Sequence, residues 1–104
     1  MPAFLITYHG AAEMPPSEQA REQMMSAFTA WAASVGDKMV DPGSPLGPSR
    51  VVTAAGDTNG KATGEVSGYT VINADSLDDA VKAVRGHPFL SRGGTLQVAE
   101  AVAP

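Results

Sequence analysis

The chain has no cysteine. Disulfides, thiolate catalysis and zinc–cysteine sites are therefore excluded, and a cytoplasmic setting is the simplest expectation. Positive charge is sparse: seven Lys and Arg stand against eleven Asp and Glu, for a net charge of −4. The basic residues form no cluster, so the electrostatic footprint of a nucleic-acid binder is missing. No run approaches the ~20 apolar residues that a membrane span needs. The first apolar segment follows Pro2 with no basic leader and no small-residue cleavage site, so no signal peptide is expected. GxGxxG, GxxxxGK followed by Ser or Thr, HExxH and the EF-hand spacing are all missing, so the sequence implies no metal and no cofactor. Asp75, Asp78 and Asp79 lie where capping and the helix dipole favour carboxylates. Gly93-Gly94 precedes a strand rather than a helix, which fits a tight turn and not an anion cradle.

What is present is a chain of 104 residues with 43% apolar and 17% charged content, the composition of one ordinary globular domain. The last third is the best specified. Ser67–Ala74 has the β-branched, apolar character of a buried strand. Its alternation sets Val66, Gly68, Thr70, Ile72 and Ala74 on one side and Ser67, Tyr69, Val71 and Asn73 on the other. Ser76 with Asp79 approximates a capping box. Leu77, Ala80, Val81 and Val84 form one helical stripe. Gly86 is expected as a left-handed residue closing that helix, and Pro88 as a block to its resumption. Gly93-Gly94 then turns the chain into a last strand.

Earlier, Ala3–Tyr8 reads as a buried first strand and residues 9–16 as a loop. Ser17 caps a helix that Gly36 closes near Val35. Its stripe is Ala20, Met24, Phe28, Trp31 and Val35, a core face with Trp31 as anchor. Lys38–Val40 is a short strand and DPGSPLGP (41–48) a loop. Arg50–Ala55 is a third strand, and Asn59-Gly60 signals a hairpin turn. The order is β-α-β-β-β-α-β: an α+β fold with two helices on one face of an antiparallel sheet. Two helices cover one face only. The bare face, whose strands are not strongly polar, is expected to join a second copy of the chain in a two-fold homodimer.

Six side chains are candidates for chemistry. His9 and His87 each end a regular element beside a loop, and imidazole is the side chain best poised for proton transfer near neutrality. Either is a general base or a ligand-orienting group; otherwise His9 is a strand-end residue and His87 fills a Pro-step turn. Asp41 orients a histidine or binds a ligand hydroxyl, or else starts a turn before Pro42. Arg50 binds a carboxylate through its planar fork, or is a solvated strand-end cation. Tyr8 and Tyr69 direct a phenol into a barrel, or pack in the core with a satisfied hydroxyl. Glu100 is informative only if it faces inward, which the sequence leaves open.

Taken together, several segments resemble the YCII-related family. They are Tyr8-His9-Gly10, Trp31 to Gly36 with Asp41-Pro42-Gly43-Ser44-Pro45-Leu46-Gly47-Pro48, Ser67-Gly68-Tyr69-Thr70-Val71-Ile72, Ala74-Asp75-Ser76-Leu77-Asp78-Asp79-Ala80, and Gly86-His87-Pro88-Phe89 leading to Gly93-Gly94 and Glu100. The resemblance spans nearly the whole chain and implies a ferredoxin-like α+β fold paired into a dimeric α+β barrel, with a cleft between helices and barrel. The chain departs from the DGPF branch of that family, having GKATGEVSG before the fourth strand. Many members carry a histidine in helix one and an aspartate before the Pro-Tyr or Pro-Phe step; those positions fall near Met25 and at His87.

Two functions follow as expectations. The first is a small metal-independent enzyme of proton-transfer, lyase or isomerase type. Its small-molecule cleft is lined from the first strand, helix one and the 41–50 loop, with His87 or His9 as base and Asp41 or Arg50 orienting. The second is a non-catalytic ligand-binding or regulatory dimer. Cofactor-independent oxygenation rests on fold analogy alone.

Overall fold

A computed structural model describes residues 1–10, 17–59 and 66–103. Strand β1 (Ala3–His9) is followed by helix α1 (Glu18–Val35), a 3₁₀ turn (Gly36–Lys38) and strand β2 (Met39–Pro45). Strands β3 (Arg50–Thr53) and β4 (Gly56–Asn59) come next. Strand β5 (Gly68–Asn73), helix α2 (Leu77–Val84), the short helix α3 (Pro88–Ser91) and strand β6 (Thr95–Glu100) complete the chain. The main sheet runs β2-β5-β1-β6 and every neighbouring pair is antiparallel. With β3 and β4 set aside, this is the β-α-β-β-α-β ferredoxin-like arrangement. The expected α+β class and the order of its core elements hold. The third expected strand does not join the sheet: among the described residues β3 pairs with β4 in a separate hairpin.

Alternation along the strands builds the core. Phe4 and Ile6 of β1 and Thr70 and Ile72 of β5 point to the helix side and are fully buried. They meet Trp31 and Val35 of α1 and Ala80 and Val84 of α2. The expected helix stripes hold, except that Leu77 is exposed. Both helices start as their sequences dictate. Ser17 accepts from the Ala20 N–H at 3.1 Å and Ser76 from the Asp79 N–H at 3.1 Å, each satisfying a donor that the first helical turn leaves orphaned. The described residues are only 18 Å thick along their shortest axis, the depth of one sheet and one helix layer. None of their helices is long and apolar enough to cross a membrane.

Three local expectations need correction. The 41–48 segment is not wholly a loop, since β2 runs on to Pro45 with register shifts between Met39 and Asp41 and between Asp41 and Ser44. Pro42 and Pro45 are tolerated because β2 is an edge strand, where a missing N–H costs no ladder bond. Gly43 allows the bulge: its φ is 77°, and a Cβ there would fall on the Tyr69 carbonyl oxygen. The β3–β4 hairpin turns at Ala54-Ala55, where Thr53 pairs with Gly56; Asn59 belongs to β4 and Gly60 lies outside the described residues, as do residues 11–16 of the expected loop. Gly86 has no positive φ. The chain passes through it into α3, with Pro88 at the first helical turn, where a residue lacking an N–H is harmless.

Trp31 links the helices through a bond from its Nε1–H to the Ala83 carbonyl at 2.9 Å. Replacing it by Ala should lower stability by about 3–5 kcal/mol. Trp31→Phe, which keeps most of the ring area and loses the bond, should cost about 1 kcal/mol. Urea unfolding of the wild type and both variants checks the difference; a Trp31→Phe variant as stable as the wild type would show that the bond contributes nothing.

Candidate functional site

Tyr8 sits near the end of β1 on the helix side of the sheet. Its Cα partner across the ladder is Gly68, which has no side chain, so the ring has room to lie over β5. The hydroxyl reaches diagonally to Thr70 Oγ1 at 2.7 Å and to His87 Nε2 at 2.6 Å. His87 arrives from the turn between α2 and α3, where its backbone N–H donates to the Val84 carbonyl at 3.0 Å. Its ring is packed against Trp31 (centroids 4.3 Å apart), Tyr8 (5.0 Å) and Phe28 (5.6 Å), and the residue is 3% exposed.

The direction of these bonds follows from their ends. The Phe89 backbone N–H donates to His87 Nδ1 at 3.0 Å. A backbone amide can only donate, so Nδ1 carries no proton and the neutral ring holds its proton on Nε2. His87 Nε2–H therefore donates to the Tyr8 oxygen. At the other end the Thr70 hydroxyl donates to the Pro42 carbonyl at 2.9 Å, so Thr70 must accept from Tyr8. The result is one oriented chain: Phe89 N–H, His87, Tyr8, Thr70, Pro42.

Electrostatics keep this chain neutral. Burial, with the positive charge of Arg92 as a second cause, lowers the His87 pKa from 6.5 to about 4. Burial also pushes the Tyr8 phenol up from 10.0, against the opposing effect of the Thr70 hydrogen bond. Near pH 7 the pair is a half-buried phenol beside a buried, neutral imidazole.

The remaining candidates lie elsewhere. His9 and Tyr69, at odd positions of β1 and β5, project from the opposite, helix-free face. There His9 Nε2 lies 2.7 Å from Thr7 Oγ1. Tyr69 donates to Asp41 Oδ2 over a long 3.5 Å, while Asp41 Oδ1 accepts from the Gly43 N–H at 2.8 Å and so pins the β2 bulge. Arg50 stands on the β3–β4 hairpin, paired with Asp57 at 2.9 Å. Glu100, across from Phe4, is exposed. The structure thus unites Tyr8 with His87, groups Tyr69 with Asp41 on the other face, and brings neither His9 nor Arg50 to His87. A shallow depression of about 130 Å³ on the hairpin, lined by Val51, Thr53, Ala55, Gly56 and Asp57, shares no residue with either group. No group of three or more His, Asp and Glu among the described residues is arranged to hold a metal ion. Sequence reasoning missed Thr70 and Arg92. The only available signal for Thr70 was a hydroxyl alternating with Gly68 and Ile72 on a buried face, where it needs a partner.

No protein-family model matches the chain, and no curated protein matches it. Among solved structures it is similar to 5-chloro-2-hydroxyhydroquinone dehydrochlorinase (TftG) from Burkholderia phenoliruptrix AC1100, in complex with 2,5-dihydroxybenzoquinone. Identity is 22%, coverage is 91% of this chain and 90% of that one, and the TM-score is 0.48. A likeness of that strength carries neither an activity nor a residue role to this chain.

The depressed His87 pKa makes stability depend on pH. Unfolded, the ring titrates near 6.5; folded, near 4. Between those values the unfolded chain binds a proton that the folded one does not. Stability from this group is therefore complete above pH 6.5, falls as pH drops toward 4, and levels off below. The full change is roughly 3 kcal/mol. His87→Gln cannot titrate and should remove this part of the slope. Unfolding curves of both proteins across the window measure it as their difference; parallel curves would contradict the assignment.

Proposed function

We propose that the chain is a YCII-related small-molecule enzyme of the proton-transfer class, a lyase or isomerase, working as a homodimer through its helix-free sheet face. The observation that carries the reading is the 2.6 Å contact of Tyr8 with His87, in which the imidazole N–H points at the phenol oxygen. Both ring nitrogens of His87 are engaged, so this histidine is not the base. Tyr8 is the group that acts: turning its O–H away from Thr70 presents the proton to a substrate oxygen on which negative charge develops. The Nε2–H of His87 then stabilises the phenolate left behind, a fixed donor aimed where charge appears. Solvent restores the proton after release.

The dimer is supported by the bare face. Leu5, opposite Val71 in the ladder, is 39% exposed there, and Tyr69, Val71 and Asn73 are half-buried on the side away from the described helices. A second reading, a non-catalytic ligand-binding or regulatory dimer, is favoured by the fact that every donor from Phe89 to Thr70 already has its acceptor.

A thermal-shift screen of aromatic and carbonyl-bearing small molecules, with chemical conversion followed by NMR, separates the two. The enzyme reading expects turnover by the wild type, and Tyr8→Phe should bind the same compound while turning it over about 10²–10⁴-fold more slowly. Binding without conversion in the wild type supports the second reading. Sedimentation should give the mass of two chains, with Leu5→Glu monomeric and still folded; a wild-type monomer at micromolar concentration would remove the dimer from the account.

A further inference from the structure

Among the described residues, no carboxylate forms an ion pair with Arg92. The one ion pair among the described residues is Arg50 with Asp57 on the hairpin. Arg92 follows α3, where its backbone N–H donates to the Phe89 carbonyl at 3.2 Å. Its guanidinium carbon lies 5.7 Å from the centre of the Phe89 ring. Its Nε is buried and has no hydrogen-bond partner among the described residues. A buried donor left unpaired is costly, and native structures rarely retain one without use. Arg21, Lys38, Lys82 and Arg85 are, by contrast, exposed to water.

Location gives the unpaired donor a meaning. The Tyr8 ring packs on the same Phe89, with centroids 5.0 Å apart. Arg92 and Tyr8 therefore flank one aromatic side chain, separated at most by the sum of those two distances. The Phe89 ring packs directly on Gly94, where any side chain would collide with it. The guanidinium charge also reaches far enough to disfavour protonation of His87. A planar fork with donors to spare recognises a carboxylate or a delocalised oxyanion.

We propose that Arg92 binds the anionic group of the substrate, a small organic carboxylate or conjugated oxyanion, and holds its remaining oxygen toward Tyr8. The inference rests on the proton-transfer reading of Tyr8 and names the substrate class of that site. Arg92 and Tyr8 then divide the work: the guanidinium fixes charge already present, and the phenol serves charge that develops.

Benzoate and its neutral counterpart benzamide serve as probes, titrated separately into ¹⁵N-labelled protein. Benzoate should bind about tenfold more tightly than benzamide, with shifts centred on the amides of Tyr8, Phe89 and Arg92. Arg92→Gln should abolish the preference, and Arg92→Lys should keep part of it, since the charge remains and the fork is lost. Arg92→Met preserves the stem over Phe89 and replaces Arg92→Gln if that variant melts early. Equal binding of the two probes, no benzoate binding at millimolar concentration, or an unchanged preference in Arg92→Gln would overturn the proposal. Tyr8→Phe should retain the benzoate preference, so failure of the anion site and failure of the phenol as proton donor give different results.

Discussion

The acceptance of the Phe89 N–H by His87 Nδ1 is the bond on which the rest of the site depends. It decides where the single proton of the imidazole resides. That decision orients the phenol of Tyr8, then the hydroxyl of Thr70, and ends at the Pro42 carbonyl. The same ring fills the space between Phe28 and Trp31 of α1 and Tyr8 of β1. One side chain therefore joins the α2–α3 turn to the first helix, the first strand and, through Thr70, the edge strand β2. Such a network is stable in a low-dielectric interior only if every member is satisfied, and each member from Phe89 to Pro42 is.

Sheet geometry imposes the second constraint. Successive residues of a strand face opposite sides, so Tyr8 and His9 are neighbours in sequence and strangers in space. The helix side holds the neutral phenol–imidazole pair. The bare side holds His9, Tyr69 and Asp41, the last serving to close the β2 bulge. Chemistry that combined His9 with His87 would have to pass through the sheet. At the β2 bulge the two faces share a support, since Thr70 bonds Pro42 from the helix side while Tyr69 approaches Asp41 from the other.

Much of this was legible in the residues. The caps Ser17 and Ser76, the stripe from Ala20 to Val35 and the alternation of Ser67–Ala74 are local signals, and the fold obeys them because local and tertiary preferences agree. Where expectation failed, the deciding fact was not local. Proline-rich residues 41–45 form strand because β2 lies at an edge, which only the sheet order reveals. Gly86 needs no left-handed backbone because Pro88 starts a new helix instead of merely ending an old one. The pairing of Tyr8 with His87 joins residues 79 positions apart and depends on the register that sets Gly68 opposite Tyr8. Sequence could nominate both side chains, but neither their contact nor the unpaired Nε of Arg92 among the described residues.

The most direct test is ¹⁵N NMR of the His87 ring in the folded protein. The account predicts a neutral imidazole at pH 7 with a bare, pyridine-like Nδ1 and a protonated, pyrrole-like Nε2, unchanged as the pH falls well below the ordinary histidine range. A proton on Nδ1, or an imidazolium at neutral pH, would contradict it.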